Sequence, residues 1–91
     1  MPNTVNANDI LKIVNNVLRT HEVTEMDIDK ELSSLGVSST MFISIVIDLE
    51  EKYNVEIPDE YLFSTEIGTV NKMIGILSKL IEERQNNEIN Q

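Results

Sequence analysis

The sequence predicts an all-α fold: a small four-helix bundle of three longer helices and one short helix, with a long loop between helices 1 and 2. Three observations predict it. Apolar residues recur at helical spacing in three separate segments. The composition is 41% hydrophobic with 4% aromatic residues, 3 Gly and 2 Pro, which favours globular helix over sheet or disorder. Finally, 91 residues leave room for one hydrophobic core and no second. A single domain over residues 1–91 is therefore expected, with its core at about 7–84 and frayed polar ends.

The first helix is expected over residues 7–19. Ile10, Val14 and Val17 form one stripe with Leu11 and Leu18 beside it, the pattern of an amphipathic helix, and Asn6 or Asn8 is its cap. From residue 20 to 38 the periodicity fails. Val23, Met26, Ile28, Leu32 and Leu35 read as apolar anchors of a long acidic loop that Gly36 closes. A second helix is expected from Ser38 or Ser39 to about Tyr53, with Phe42, Ile45, Val46, Leu49 and Tyr53 facing the core. Asn54 ends it. Ile57 is extended because it precedes a proline, and Pro58 opens a short helix through Leu62. A last helix from Gly68 or Thr69 to Arg84 places Val70, Met73, Ile74, Leu77 and Ile81 inward. Stripes of this kind must be buried against one another, which gives the bundle.

Several kinds of chemistry fail on inspection. There is no Cys, and the single His21 cannot hold a metal alone. Asp27, Asp29 and Glu31 stand at the first, third and fifth positions of a calcium loop, but Leu32 replaces its glycine and Ser38 its closing glutamate. The glycines stand apart, so no phosphate-binding loop exists. No nucleophile and base pair can be assembled, so no catalytic residue is predicted. The formal net charge is −9. Most carboxylates lie within residues 22–60 against only Lys30 and Lys52, a field that repels nucleic acid and attracts basic protein surfaces. No secretory signal or membrane span is visible, so a soluble, cytoplasmic monomer is expected.

One constellation remains. Leu35-Gly36-Val37-Ser38-Ser39-Thr40 precedes the apolar second helix, which closes with Leu49-Glu50-Glu51 and is followed by Glu56-Ile57-Pro58-Asp59-Glu60 and later by Ile67-Gly68-Thr69-Val70. Here the chain resembles the acyl and peptidyl carrier proteins of fatty acid, polyketide and nonribosomal peptide synthesis. Those proteins place L-G-x-D-S-L before an apolar helix ending in L-E-E and continue into E-I-P-D-E. The resemblance runs over residues 7–83 in one register. It departs at Ser38, where the family has Asp, at Thr40, usually Leu, at Met41, often acidic, and in a short insertion between Glu60 and Ile67.

By this resemblance, Ser39 is the attachment site of a 4′-phosphopantetheine arm donated by coenzyme A. A serine in the first turn of a helix sits among unpaired backbone N–H groups at the positive end of the helix dipole, which suits a phosphodiester. Ser38 and Ser39 also fit a bare N-cap, the commonest role of serines at such a place. Met41, Ile43 and Ile47 fit either peripheral core or a docking face. Thr40, Ser44, Ile47 and Glu51 share one side of the helix, adjoining Ile43 and Asp48, and in the family this surface meets partner enzymes.

The implied partners are a phosphopantetheinyl transferase, which supplies base and Mg²⁺, an acyl- or aminoacyl-loading ligase, and downstream synthase enzymes. The uncharged positions 41 and 44 and the insertion favour a freestanding carrier of a polyketide or nonribosomal peptide type pathway over the fatty acid carrier. The remaining alternative is an unmodified helical interaction module of the same fold.

Overall fold

The computed structural model describes residues 5–20, 22–62 and 67–89, with side chains up to residue 84. His21, residues 63–66 of the predicted insertion, and both chain ends lie outside the described residues. Among the described residues four α-helices surround one core: α1 (Ala7–Leu18), α2 (Ser39–Tyr53), α3 (Asp59–Leu62) and α4 (Val70–Ile89). No strand occurs among the described residues.

Asn6, not Asn8, caps α1, its Oδ1 accepting from the Asp9 N–H at 3.0 Å, and Arg19 ends the helix in the left-handed region at φ 64°. Because α1 packs against both α2 and α4, its buried stripe is Ile10, Leu11, Val14 and Leu18, while Val17 is half-buried.

The long loop holds two 3₁₀ turns, Glu25–Asp27 and Leu32–Leu35. Thr24 and Asp27 close the first reciprocally. Thr24 Oγ1 accepts from the Met26 N–H at 3.3 Å, and Asp27 Oδ2 accepts from the Thr24 N–H at 3.0 Å. The Thr24 backbone N–H, helped by Lys30 at 3.0 Å, holds the Asp27 carboxyl below its ordinary pKa. This turn points Met26 outward, 89% exposed, so it is not the anchor that its apolarity predicts. Val23, Leu32 and Val37 enter the core instead, with Ile28 and Leu35 half-buried.

Backbone pairing fixes the rest of the loop. The Asn15 side-chain amide accepts from the Val23 N–H at 2.7 Å and donates to the Val23 carbonyl at 2.9 Å. Both backbone polar groups of Val23 are thereby paired, as buried backbone requires. Near the start of α4, the Leu32 N–H donates to the Gly68 carbonyl at 2.9 Å, the Asn71 N–H donates to the Ile28 carbonyl at 2.9 Å, and the Asn71 amide donates to Asp29 at 2.9 Å.

In α2, Ile45, Val46 and Leu49 are buried, and Phe42 and Tyr53 are half-buried. Asn54 ends the helix at φ 54°. Glu50 then turns back to accept the Ile57 N–H at 2.8 Å, which seats Ile57 in the core and aims the chain at Pro58 and α3. In α4, the Lys72 N–H donates to the Thr69 hydroxyl at 3.1 Å, a side-chain cap. Val70, Met73, Leu77 and Ile81 are buried and Ile74 is half-buried. The helix runs five residues past the predicted Arg84 end, to Ile89, because no Gly or Pro follows Arg84 to stop it.

Candidate functional site

The predicted site stands where the long loop delivers the chain into α2. Gly36 adopts φ 97°, closing the second 3₁₀ turn, a conformation that glycine reaches without steric cost. The Val37 N–H donates to the Leu32 carbonyl at 3.0 Å, and its side chain is buried. With Val37 fixed inward, Ser38 is extended and becomes the N-cap of α2. Its Oγ accepts from the Met41 N–H at 3.2 Å, and its carbonyl accepts from the Phe42 N–H at 2.8 Å.

Ser39 follows as the first helical residue and is exposed. The capping task has gone to its neighbour, so the described residues offer the Ser39 hydroxyl no hydrogen bond. The first turn of α2 carries no acidic side chain, leaving the positive end of the helix without an intrinsic counter-charge.

Beside Ser39 opens a cleft of about 350 Å³. Leu32, Val37, Phe42, Ile43 and Leu62 give it apolar walls, and Glu31, Ser33, Ser38, Ser39 and the Gly68 backbone give it polar ones. A polar depression between α1 and the loop, lined by Asn8, Lys12, Asn16 and Glu22 among others, holds none of the predicted site residues.

The predicted partner-facing residues separate into two groups. Thr40, Ile43, Ser44, Ile47, Asp48 and Glu51 are exposed, with Ile43 and Ile47 at 41% and 47%. Met41 is half-buried and packs against the core. Glu50 is taken up by its bond to Ile57 and has a structural part.

A helix-opening hydroxyl that is open to solvent, with no hydrogen bond and no acid–base partner among the described residues, is suited to carry a covalent group that another enzyme attaches. The profile described as "Phosphopantetheine attachment site" matches residues 8–77, and the chain belongs to that family of carrier proteins. Among solved structures it is similar to the solution structure of the acetyl actinorhodin acyl carrier protein from Streptomyces coelicolor. The match has a TM-score of 0.72 at 17% identity, covering 92% of this chain and 99% of that one. This likeness establishes the fold. No curated protein matches the sequence.

The family carries a covalently attached 4′-phosphopantetheine, and the residues present fit it. Among the described residues the Ser39 hydroxyl has no hydrogen bond, the first turn of α2 offers N–H groups and carries no acidic side chain of its own, and the adjoining cleft mixes apolar walls with hydroxyls and the Glu31 carboxylate. Families of this kind work with phosphopantetheinyl transferases and synthase enzymes and are generally non-catalytic. Among the described residues no group of His, Cys, Asp and Glu could hold a metal, and no helix is long and apolar enough to cross a membrane.

Sequence reasoning did not find the cleft. In the sequence Glu31 reads only as a position in a failed calcium loop and Gly68 only as a helix start. The two meet through the Leu32–Gly68 bond, a contact without a local sequence signature. The division of labour between Ser38 and Ser39 was legible in principle, because only one of two adjacent serines can be the N-cap.

Proposed function

We propose that the protein carries its 4′-phosphopantetheine arm on Ser39 and serves a polyketide or nonribosomal peptide type pathway. The observation that carries this reading is the capping bond of Ser38, which leaves the adjacent Ser39 hydroxyl exposed and, among the described residues, without a hydrogen bond. In the attachment step the Ser39 oxygen bonds to the phosphorus that bears pantetheine, its proton passes to a base of the transferase, and the nucleotide half of coenzyme A leaves. The attached group supplies a thiol that holds cargo as a thioester. This chain's own part is to present the hydroxyl, offer α2 N–H groups to the phosphate, and give partner enzymes a surface to read.

That surface is the exposed flank of Thr40, Ile43, Ser44, Ile47, Asp48 and Glu51, with the accessible half of Met41 at its edge. Its end nearest Ser39 is uncharged, and its carboxylates begin only at Asp48. An enzyme that docks on acidic carriers therefore loses its steering charge close to the arm. Loading by a fatty acid pathway transacylase should be slower than loading by an aminoacyl- or acyl-activating ligase by about tenfold or more, the scale of lost electrostatic steering. Ser44→Glu should restore part of the transacylase rate. Equal loading of wild type by both enzymes would place the protein with the fatty acid carriers.

A further inference from the structure

We propose that Glu31 is a specificity-determining residue of the cleft beside Ser39, favouring cargo that bears a cationic amine over uncharged acyl cargo. The proposal rests on the reading of Ser39 as the attachment site. Among the described residues, Glu31 is the one acidic side chain lining the cleft, and the others are apolar side chains, serines and the Gly68 backbone. An ammonium group entering this space meets a carboxylate, whereas an alkyl end of the same length meets it only by desolvating it.

The position of the carboxylate depends on Gly68. A Cβ built on Gly68 would lie 2.6 Å from Glu31 Oε1, so the absence of a side chain there lets the carboxylate lie across the backbone. Lys72 approaches the other oxygen only to 3.9 Å, a long and half-exposed ion pair that is weak in water. The backbone beneath is held from both sides, by the Leu32 N–H to the Gly68 carbonyl and by the Asn71 N–H to the Ile28 carbonyl, each at 2.9 Å. The charge therefore sits on a fixed wall. Gly68 is not at positive φ, so alanine fits its backbone and would push aside only the flexible end of Glu31.

The test uses two near-isosteric cargoes, β-alanyl and butyryl, loaded on Ser39 from their coenzyme A thioesters by a broad-specificity transferase. For each, hydroxylaminolysis of the loaded protein is compared with that of the same thioester on free pantetheine, giving a protection factor. In wild type β-alanyl should be protected more than butyryl. Glu31→Gln, which keeps shape and removes charge, and Gly68→Ala, which displaces the carboxylate, should each lower β-alanyl protection about two- to fivefold, the range of a partly exposed ion pair. Butyryl protection should not change. Amide chemical shifts of Leu32 and Gly68 should respond to β-alanyl in wild type and lose that response in both variants.

Equal changes for the two cargoes, or no change for either, would overturn the proposal and leave Ser39 as the attachment site. Failure of intact mass to show any loading would instead overturn the Ser39 reading, and the proposal with it.

Discussion

Ser39→Ala is expected to abolish transfer of the phosphopantetheinyl group from coenzyme A, and Ser38→Ala to leave it intact. The two serines are adjacent and both exposed, so composition or accessibility alone would not separate them. The helix start does. The Ser38 side chain is committed to the Met41 N–H at 3.2 Å, and its removal costs α2 a cap worth about 1 kcal/mol. Ser39 makes no such bond, and its truncation should cost no more than about 0.5 kcal/mol, as for an ordinary surface change. The variants should thus show opposite profiles: one folding almost as wild type without being modified, the other measurably weaker and still modified. Intact mass after reaction with a broad-specificity transferase gives the first readout, and thermal melting gives the second. Modification that persists in Ser39→Ala and vanishes in Ser38→Ala would move the site by one residue.

Leu49→Ala should be among the most damaging single changes to the fold. Leu49 is 0% exposed in the core that joins α1, α2 and α4, and truncating a buried leucine costs about 2–5 kcal/mol through lost transfer energy and the cavity left behind. For a domain of this size that lowers Tm by roughly 10 °C or more. Two residues earlier, Ile47 is 47% exposed, and Ile47→Ala should stay within about 0.5 kcal/mol of wild type. The contrast matters because Ile47 lies on the flank assigned to partner enzymes: its truncation should slow loading without melting the protein. A loss of stability at Ile47 as large as at Leu49 would show that the flank is packed.

The fold was legible because three helices carry their own stripes. Ile10 and Val14, Ile45 and Leu49, and Met73 and Leu77 all recur at helical spacing, and each pair is buried as its period requires. Asn54 was legible as a stop for a local reason, since asparagine tolerates the left-handed conformation it adopts at φ 54°. The loop was only partly legible. Its anchors are chosen by partners distant in sequence, Asn15 for Val23 and Gly68 for Leu32, and so apolarity alone selected Met26 wrongly. Ser39 stood out through the motifs on either side of it. The cleft did not, because Glu31, Leu62 and Gly68 come together only once the loop and the α4 start are joined.

Mass analysis of the protein purified from its own host tests most directly whether Ser39 carries the arm. Intact mass should show an increment of one phosphopantetheinyl group on at least part of the population, and fragmentation of the peptide spanning the start of α2 should place it on Ser39. An unmodified chain from cells shown to contain an active transferase, or an arm found on another residue, would contradict the account.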